Sequence, residues 1–63
     1  MSYYKVLELI KEFPENRSVP RLVRVELNKA KGLEKLNIER ATEALMVAAN
    51  TDEDYDLIEK YLS

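Results

Sequence analysis

The apolar residues of this chain recur every three or four positions in four separate segments, with charged residues between them. That spacing matches the α-helix, in which positions i, i+3, i+4 and i+7 share one side. It predicts four short amphipathic helices, over approximately 3–13, 19–31, 38–49 and 52–62. The predicted fold class is therefore all-α: a compact bundle of two helical hairpins that forms a single domain over residues 1–63.

The first and the last segments show the clearest separation of apolar and polar residues. Ser2 is a candidate N-cap of the first helix, and Pro14 ends it, because the residue before a proline is disfavoured in the helical conformation. Thr51 is the candidate N-cap of the last helix, whose acidic first turn suits the positive end of the helix dipole. One side of the first helix carries the apolar residues Tyr3, Val6, Leu7, Leu9, Ile10 and Phe13.

The segment "NRSVPRLVRVEL", from Asn16 to Leu27, fits two different periods. As a helix it has Ser18 as N-cap, Pro20 in the first turn, where no N–H is needed, and Gly32 as C-terminal cap. Its apolar residues then fall within one arc, and its polar residues fall together on the opposite side. We call that opposite side the basic face: Arg21, Arg24, Asn28 and Lys31.

As a strand, the same segment alternates only from Val23 to Leu27. The strand interpretation leaves Pro20 and Leu22 without a role, whereas Val25 and Glu26 fit the helix poorly. We favour the helix, because two independent sets of residues sort at the helical period. The strand would instead suggest a ribbon-helix-helix protein that binds DNA as a dimer.

A third helix, "IERATEALMVAA", is predicted to begin after Asn37 as its N-cap. Apolar residues surround most of its circumference, which predicts a central position in the bundle. The preceding "LEKL", Leu33 to Leu36, is either a short connecting turn or a continuation of the second helix past Gly32.

Composition narrows the range of functions. With 63 residues and no Cys or His, the chain has no disulfide, no zinc site and no imidazole catalysis. A domain this small usually needs a partner or a covalent staple, so self-association or docking on a larger protein is expected.

The content of 35% charged residues is typical of a protein from a thermophile. The longest apolar run, Ala44 to Ala49, is too short to span a membrane, and no signal peptide is visible, so we expect a soluble cytoplasmic protein.

The net charge of −2 conceals an uneven distribution. Residues 17–40 carry seven basic and three acidic side chains, whereas residues 41–63 carry one basic and six acidic side chains. A chain polarised in this way can pair with a second copy of itself or present two surfaces of opposite sign.

The stretch "SVPRLVRVELNKAKGLEKLNIERATEAL" resembles a small archaeal family of uncharacterised all-helical proteins. The similarity covers about residues 3–48, and the chain departs from the family after Asn50. The resemblance implies a compact helical fold without enzymatic activity, and suggests a small accessory subunit of an archaeal information-processing complex. The residues that carry it are Ser18, Val19, Pro20, Arg21, Val23 and Arg24 in the second helix, with Ile38, Ala41, Thr42 and Ala44 in the third.

The acidic residues offer no metal site by their pattern. The cluster from Asp52 to Asp56 lacks the central Gly and the full spacing of a calcium loop, so these carboxylates are interpreted as helix-capping acids. Glu39 and Glu43 lie one turn apart, as in di-metal bundles, but the His ligands of such bundles are missing. No catalytic, cofactor-binding or metal-binding residue is predicted, and the protein is not expected to be an enzyme.

The sequence therefore predicts a non-catalytic helical module that binds protein, as an accessory subunit or a self-associating adaptor. The alternative is a DNA-binding regulator of the ribbon-helix-helix type. A protein partner or a second copy is the favoured binding partner; nucleic acid is less favoured, and no membrane, cofactor or small-molecule substrate is expected. The candidate partner-binding residues are Tyr4, Arg21, Arg24, Val25, Lys31, Val47, Tyr55 and Tyr61.

Overall fold

The computed structural model describes residues 2–62, and these form four helices without a strand. The helices are α1 (Ser2–Lys11), α2 (Val19–Lys29), α3 (Gly32–Ala48) and α4 (Asp52–Leu62). The all-α prediction is confirmed, with α1 and α2 each ending two residues earlier than their patterns suggested. The segment Leu22–Leu27, which the ribbon-helix-helix alternative requires as a strand, lies inside α2.

The predicted caps have mixed outcomes. Thr51 caps α4 as predicted, since its Oγ1 accepts the backbone N–H of Asp54 at 3.2 Å. Ser18 occupies the N-cap position of α2, but its φ of −83° and ψ of −9° are helical and its side chain makes no capping hydrogen bond. Its backbone N–H instead donates to Oδ1 of Asn16 at 3.0 Å. Ser2 is the first residue of α1 rather than a residue before it.

The start of α3 differs most from the prediction. Ala30, and not Gly32, is the C-cap of α2, and Gly32 is the first residue of α3 with a φ of +61°. This left-handed conformation is readily adopted only by glycine, and it lets the chain pass from α2 to α3 through a connection of two residues. Leu33 to Leu36 therefore form the first turn of α3, and Asn37 lies inside the helix, so its predicted role as N-cap is wrong.

The core lies where the four helices meet. α1 packs against α2 and α3, and α4 packs against α2 and α3, while α1 and α4 do not contact one another within residues 2–62. The buried apolar side chains come from every helix and from the loops before α2, α3 and α4. They are Val6, Ile10, Phe13, Val19, Val23, Leu27, Ala30, Ile38, Leu45, Ala49 and Ile58.

Glu26, which fitted the helix pattern poorly, lies on the buried side of α2. Its Oε2 lies 3.4 Å from Nζ of Lys5 on α1 and 3.7 Å from Nζ of Lys29 on its own helix. The two ammonium groups compensate a carboxylate that would otherwise be costly to bury. A charged residue therefore occupies a core position of α2 without breaking the helix.

α3 contacts the three other helices, but α2 does so too. Only Ile38 and Leu45 of α3 are buried, against five side chains of α2, so the predicted central position of α3 is not borne out. The apolar residues on its other sides are not covered by the bundle, and this feature determines the surface described next.

Candidate functional site

One side of α3 points away from the bundle and carries several apolar residues. Leu33 is 77% exposed and Val47 is 86% exposed, although each is a large aliphatic side chain. Positions along this side are three or four residues apart, so they form a continuous stripe on the helix surface. We call this stripe the α3 face: Leu33, Leu36, Arg40, Glu43, Ala44 and Val47.

A groove of about 330 Å³ adjoins the α3 face, between α3 and α4. Its buried floor is Ile58, and Met46 and Tyr55 line it while staying partly open to solvent. Glu43 belongs to both the groove and the α3 face, so the two surfaces are continuous. We call this concavity the α3–α4 groove, lined by Thr42, Glu43, Met46, Tyr55, Ile58, Glu59 and Leu62.

Arg21, Arg24 and Asn28 of the basic face lie on the solvent side of α2, as their spacing predicted, whereas Lys31 lies beyond the end of α2, at the N-cap position of α3. Arg21, Arg24 and Lys31 are all exposed, and none of them forms an ion pair or side-chain hydrogen bond with another residue of the described part of the chain. The cation that does pair with α4 is Arg17, in the loop before α2. The basic face is thus a free, positively charged surface, and its Lys31 lies two residues before Leu33 of the α3 face.

The remaining predicted residues are dispersed. Tyr4, on α1, is exposed, and its ring meets the ring of Tyr3 edge-on with centroids 5.8 Å apart. Val25 is partly exposed on α2, and Tyr61 is half-buried on α4, with Nζ of Lys60 lying 5.3 Å from its ring centroid. Of the eight predicted partner-binding residues, only Val47 and Tyr55 belong to the continuous surface of the α3 face and the α3–α4 groove.

Sequence reasoning missed three exposed apolar residues of this surface: Leu33, Leu36 and Met46. The first two were interpreted as part of a connecting turn or of a continued second helix, and neither alternative counted them with the third helix. Once α3 begins at Gly32, Leu36 and Val47 fall on the same side at helical spacing. The signal was present in the even distribution of apolar residues around the third helix, which implied a second apolar side.

An ion pair and two hydrogen bonds to Asp54 hold the first turn of α4 in place. Asp54 is buried, and its Oδ1 accepts a hydrogen bond from the guanidinium of Arg17. Its Oδ2 accepts the backbone N–H groups of Asn50 at 2.8 Å and Thr51 at 3.2 Å. These hydrogen bonds, of which the one from Arg17 has the largest effect, lower the pKa of Asp54 from 3.8 to about 2. One carboxylate thereby joins the α1–α2 loop, the α3–α4 loop and the first turn of α4.

Two further findings concern metal binding and membrane crossing by residues 2–62. Within this range there is no group of three or more His, Cys, Asp or Glu arranged to hold a metal ion. None of its helices combines the length and the apolar content that crossing a bilayer requires.

Comparison with known proteins adds no relative. No family model matches the chain, and neither a curated protein nor a solved structure is significantly similar to it. The resemblance to an archaeal helical family therefore stays a prediction, and the function has to be inferred from the surface of the bundle.

Proposed function

We propose that this chain is a non-catalytic helical module that binds protein, as an accessory subunit or a self-associating adaptor in the cytoplasm. The observation that carries the proposal is the α3 face, where Leu33 and Val47 are largely exposed. Large apolar side chains grouped on one surface mark sites of association, because water leaves them when a partner covers them. The resemblance at Ser18–Arg24 suggests an archaeal complex that processes DNA or RNA as the setting.

The α3–α4 groove supports the same proposal. It offers a concave surface with an apolar floor at Ile58 and acidic side chains at Glu43 and Glu59 on its edge. Partner helices commonly insert apolar side chains into such grooves. Catalysis is not proposed, since the sequence contains neither His nor Cys and so lacks the commonest general base and the commonest thiol nucleophile.

The proposal predicts that Val47→Lys weakens protein binding by tenfold or more. Burial of an aliphatic side chain contributes about 1.5–3 kcal/mol, and 1.4 kcal/mol corresponds to a factor of ten. The chain is immobilised, and the proteins that it captures from an extract of its source are identified and purified. Their affinity for the wild type and for the variant is then measured by calorimetry. Self-association of both chains is measured in parallel.

Val25→Lys is the matched control, because it places the same charge on an apolar position of α2 outside the α3 face. If the α3 face carries the binding, and not Val25, which the sequence also offered as a candidate, this variant should bind as the wild type does. Equal losses in both variants would show that charge alone, and not the α3 face, governs binding. Absence of any protein ligand, including a second copy, would reject the proposal.

A prediction about nucleic acid separates this proposal from a DNA-binding function. We expect no appreciable affinity for duplex DNA at moderate salt, because three cations of the basic face act against a net charge of −2 and an acidic segment 41–63. If the basic face did bind phosphates, affinity would fall steeply between ~50 and ~200 mM salt, and Arg24→Glu would abolish it. Submicromolar, sequence-dependent binding by the wild-type chain in a fluorescence anisotropy titration would refute the expectation.

A further inference from the structure

The α3 face has the residue spacing of a helix–helix seam. Leu33, Leu36, Arg40, Glu43 and Val47 follow one another at intervals of three, four, three and four. This alternation is the heptad pattern through which two helices pack side by side. The bundle itself does not use this seam, since its α3 core residues are Ile38 and Leu45.

We infer that a second copy of this chain occupies the α3 face, with its α3 running antiparallel to the first. This inference rests on the proposed function and names the partner at that same surface. The evidence for the orientation is charge complementarity along the seam, which differs between the two ways in which the helices can run.

The antiparallel pairing has one register that matches both charged positions and two of the three apolar seam positions, while Leu33 lies opposite Asn50 of the second copy, beyond the last residue of α3. When Leu36 lies opposite the Val47 of the second copy, Arg40 lies opposite the Glu43 of the second copy in the same register. Symmetry repeats both contacts, so each dimer has two such apolar pairs and two such ion pairs. In a parallel pairing, Arg40 would face Arg40 and Glu43 would face Glu43, which is repulsive.

Arg40 and Glu43 are free to pair between copies. Both are exposed, and the side chain of neither forms an ion pair or hydrogen bond with another of the described residues 2–62. Charged residues at seam positions reduce affinity but specify orientation and register. The same two residues therefore limit the dimer's strength and select its geometry.

The ends of α3 carry charges that agree with the antiparallel orientation. Lys31 and Lys35 are exposed at its start, and Asp52 and Glu53 are exposed just beyond its end. An antiparallel pairing brings the basic start of each helix beside the acidic end of the other. The opposite charges at the two ends of α3 thus become complementary in the dimer.

The contact is short. Seventeen residues of α3 span about 26 Å at a rise of about 1.5 Å per residue. An interface of this length falls at the low end of the size range of specific protein interfaces, which is about 1,200 Å² of total buried area. We therefore expect a dimer that dissociates on dilution, rather than an obligate one.

Charge reversal tests the pairing. In sedimentation equilibrium, the mass of the wild-type chain should rise from 7.4 kDa towards twice that value as concentration increases. Arg40→Glu and Glu43→Arg should each raise the dissociation constant at least tenfold, and the two substitutions together should restore it. Arg24→Glu, which changes the net charge as Arg40→Glu does but lies on the basic face, should have no effect. Circular dichroism verifies the helix content of each variant.

Engineered cysteines test the orientation, since the chain contains no native cysteine. Antiparallel pairing places the two Val47 positions roughly 16 Å apart along the seam, beyond the ~7 Å between Cα atoms that a disulfide tolerates. Under mild oxidation, Val47→Cys alone should therefore stay uncrosslinked, whereas a mixture of the Leu36→Cys and Val47→Cys variants should give a disulfide-linked dimer.

Three results would overturn the inference: a chain that stays monomeric at millimolar concentration, crosslinking of Val47→Cys with itself, or a double charge reversal that does not restore association. A monomeric chain that binds a different protein through Val47 would reject the self-pairing while leaving the proposed function intact. If the wild-type chain bound no protein at all, both the self-pairing and the proposed function would be rejected.

Discussion

Replacement of Ile38 by alanine is expected to lower the free energy of unfolding by about 2–5 kcal/mol. Ile38 is fully buried at the contact of α3 with the rest of the bundle, and its removal leaves a cavity that the neighbouring helices cannot fill. A domain of this size has a total stability of only a few kcal/mol. The variant should therefore be largely unfolded at 25 °C, as measured by urea titration followed by circular dichroism.

Leu33→Ala is the matched control for this substitution. It removes a side chain of similar size from the same helix, five residues earlier, where Leu33 is 77% exposed. We expect a change within about 0.5 kcal/mol at a concentration where the chain is monomeric. Comparable losses in the two variants would mean that the outer side of α3 is packed, which would contradict the arrangement of the core.

Stability should fall as the pH is lowered from about 4 towards 2, through protonation of Asp54. The pKa of Asp54 is about 2 in the folded chain against 3.8 for the free side chain. A carboxylate whose pKa is lowered by folding stabilises the fold fully above its unfolded pKa, and this contribution is lost as the pH falls through the folded pKa. The midpoint of urea denaturation, measured at several pH values, should decrease over this interval.

Asp54→Asn isolates that contribution. The amide cannot accept all the hydrogen bonds that Arg17, Asn50 and Thr51 donate, so the variant should be less stable at pH 7 and should lose the Asp54 part of the acid dependence. Asp56→Asn, which alters an exposed carboxylate on the same helix, should follow the wild-type profile. An Asp54→Asn profile as steep as that of the wild type would show that other carboxylates cause the acid sensitivity.

The sequence predicted the number and type of the helices because periodicity is a property of neighbouring residues. In α2, the apolar and polar residues sort at the same period, and Pro20 fits the first turn, so the choice of helix over strand was available without tertiary information. Thr51 could be predicted as a cap for the same reason, since its hydrogen-bond partner, Asp54, is three residues away.

Features that depend on distant parts of the chain were not predictable in this way. Arg17 and Asp54 are 37 residues apart, so no local pattern distinguishes Asp54 from the exposed acids around it. Glu26 was recognised as a misfit in its helix, but its compensation by Lys5 on α1 depends on how the two helices pack. In both cases the charge was visible in the sequence and the partner was not.

The α3 face lies between these extremes. Its residues are local to one helix, and Val47 was among the predicted partner-binding residues. The prediction failed at the helix start, where Gly32 was interpreted as the end of α2. Glycine marks helix ends and helix starts alike when the chain must reverse direction, and the choice between them depends on the packing of the flanking helices.

Gly32 has one more consequence, which concerns handedness. A Cβ atom added to Gly32 would meet no other atom within 4 Å, so the position has room for a side chain. The obstacle to a side chain is the φ of +61°. At this φ the Cβ atom of an L-residue of any size lies too close to its own backbone, which costs roughly 1–2 kcal/mol. The mirror-image amino acids prefer this region of φ for the same reason. The turn between α2 and α3 therefore has room for a large side chain, but disfavours one on an L-residue.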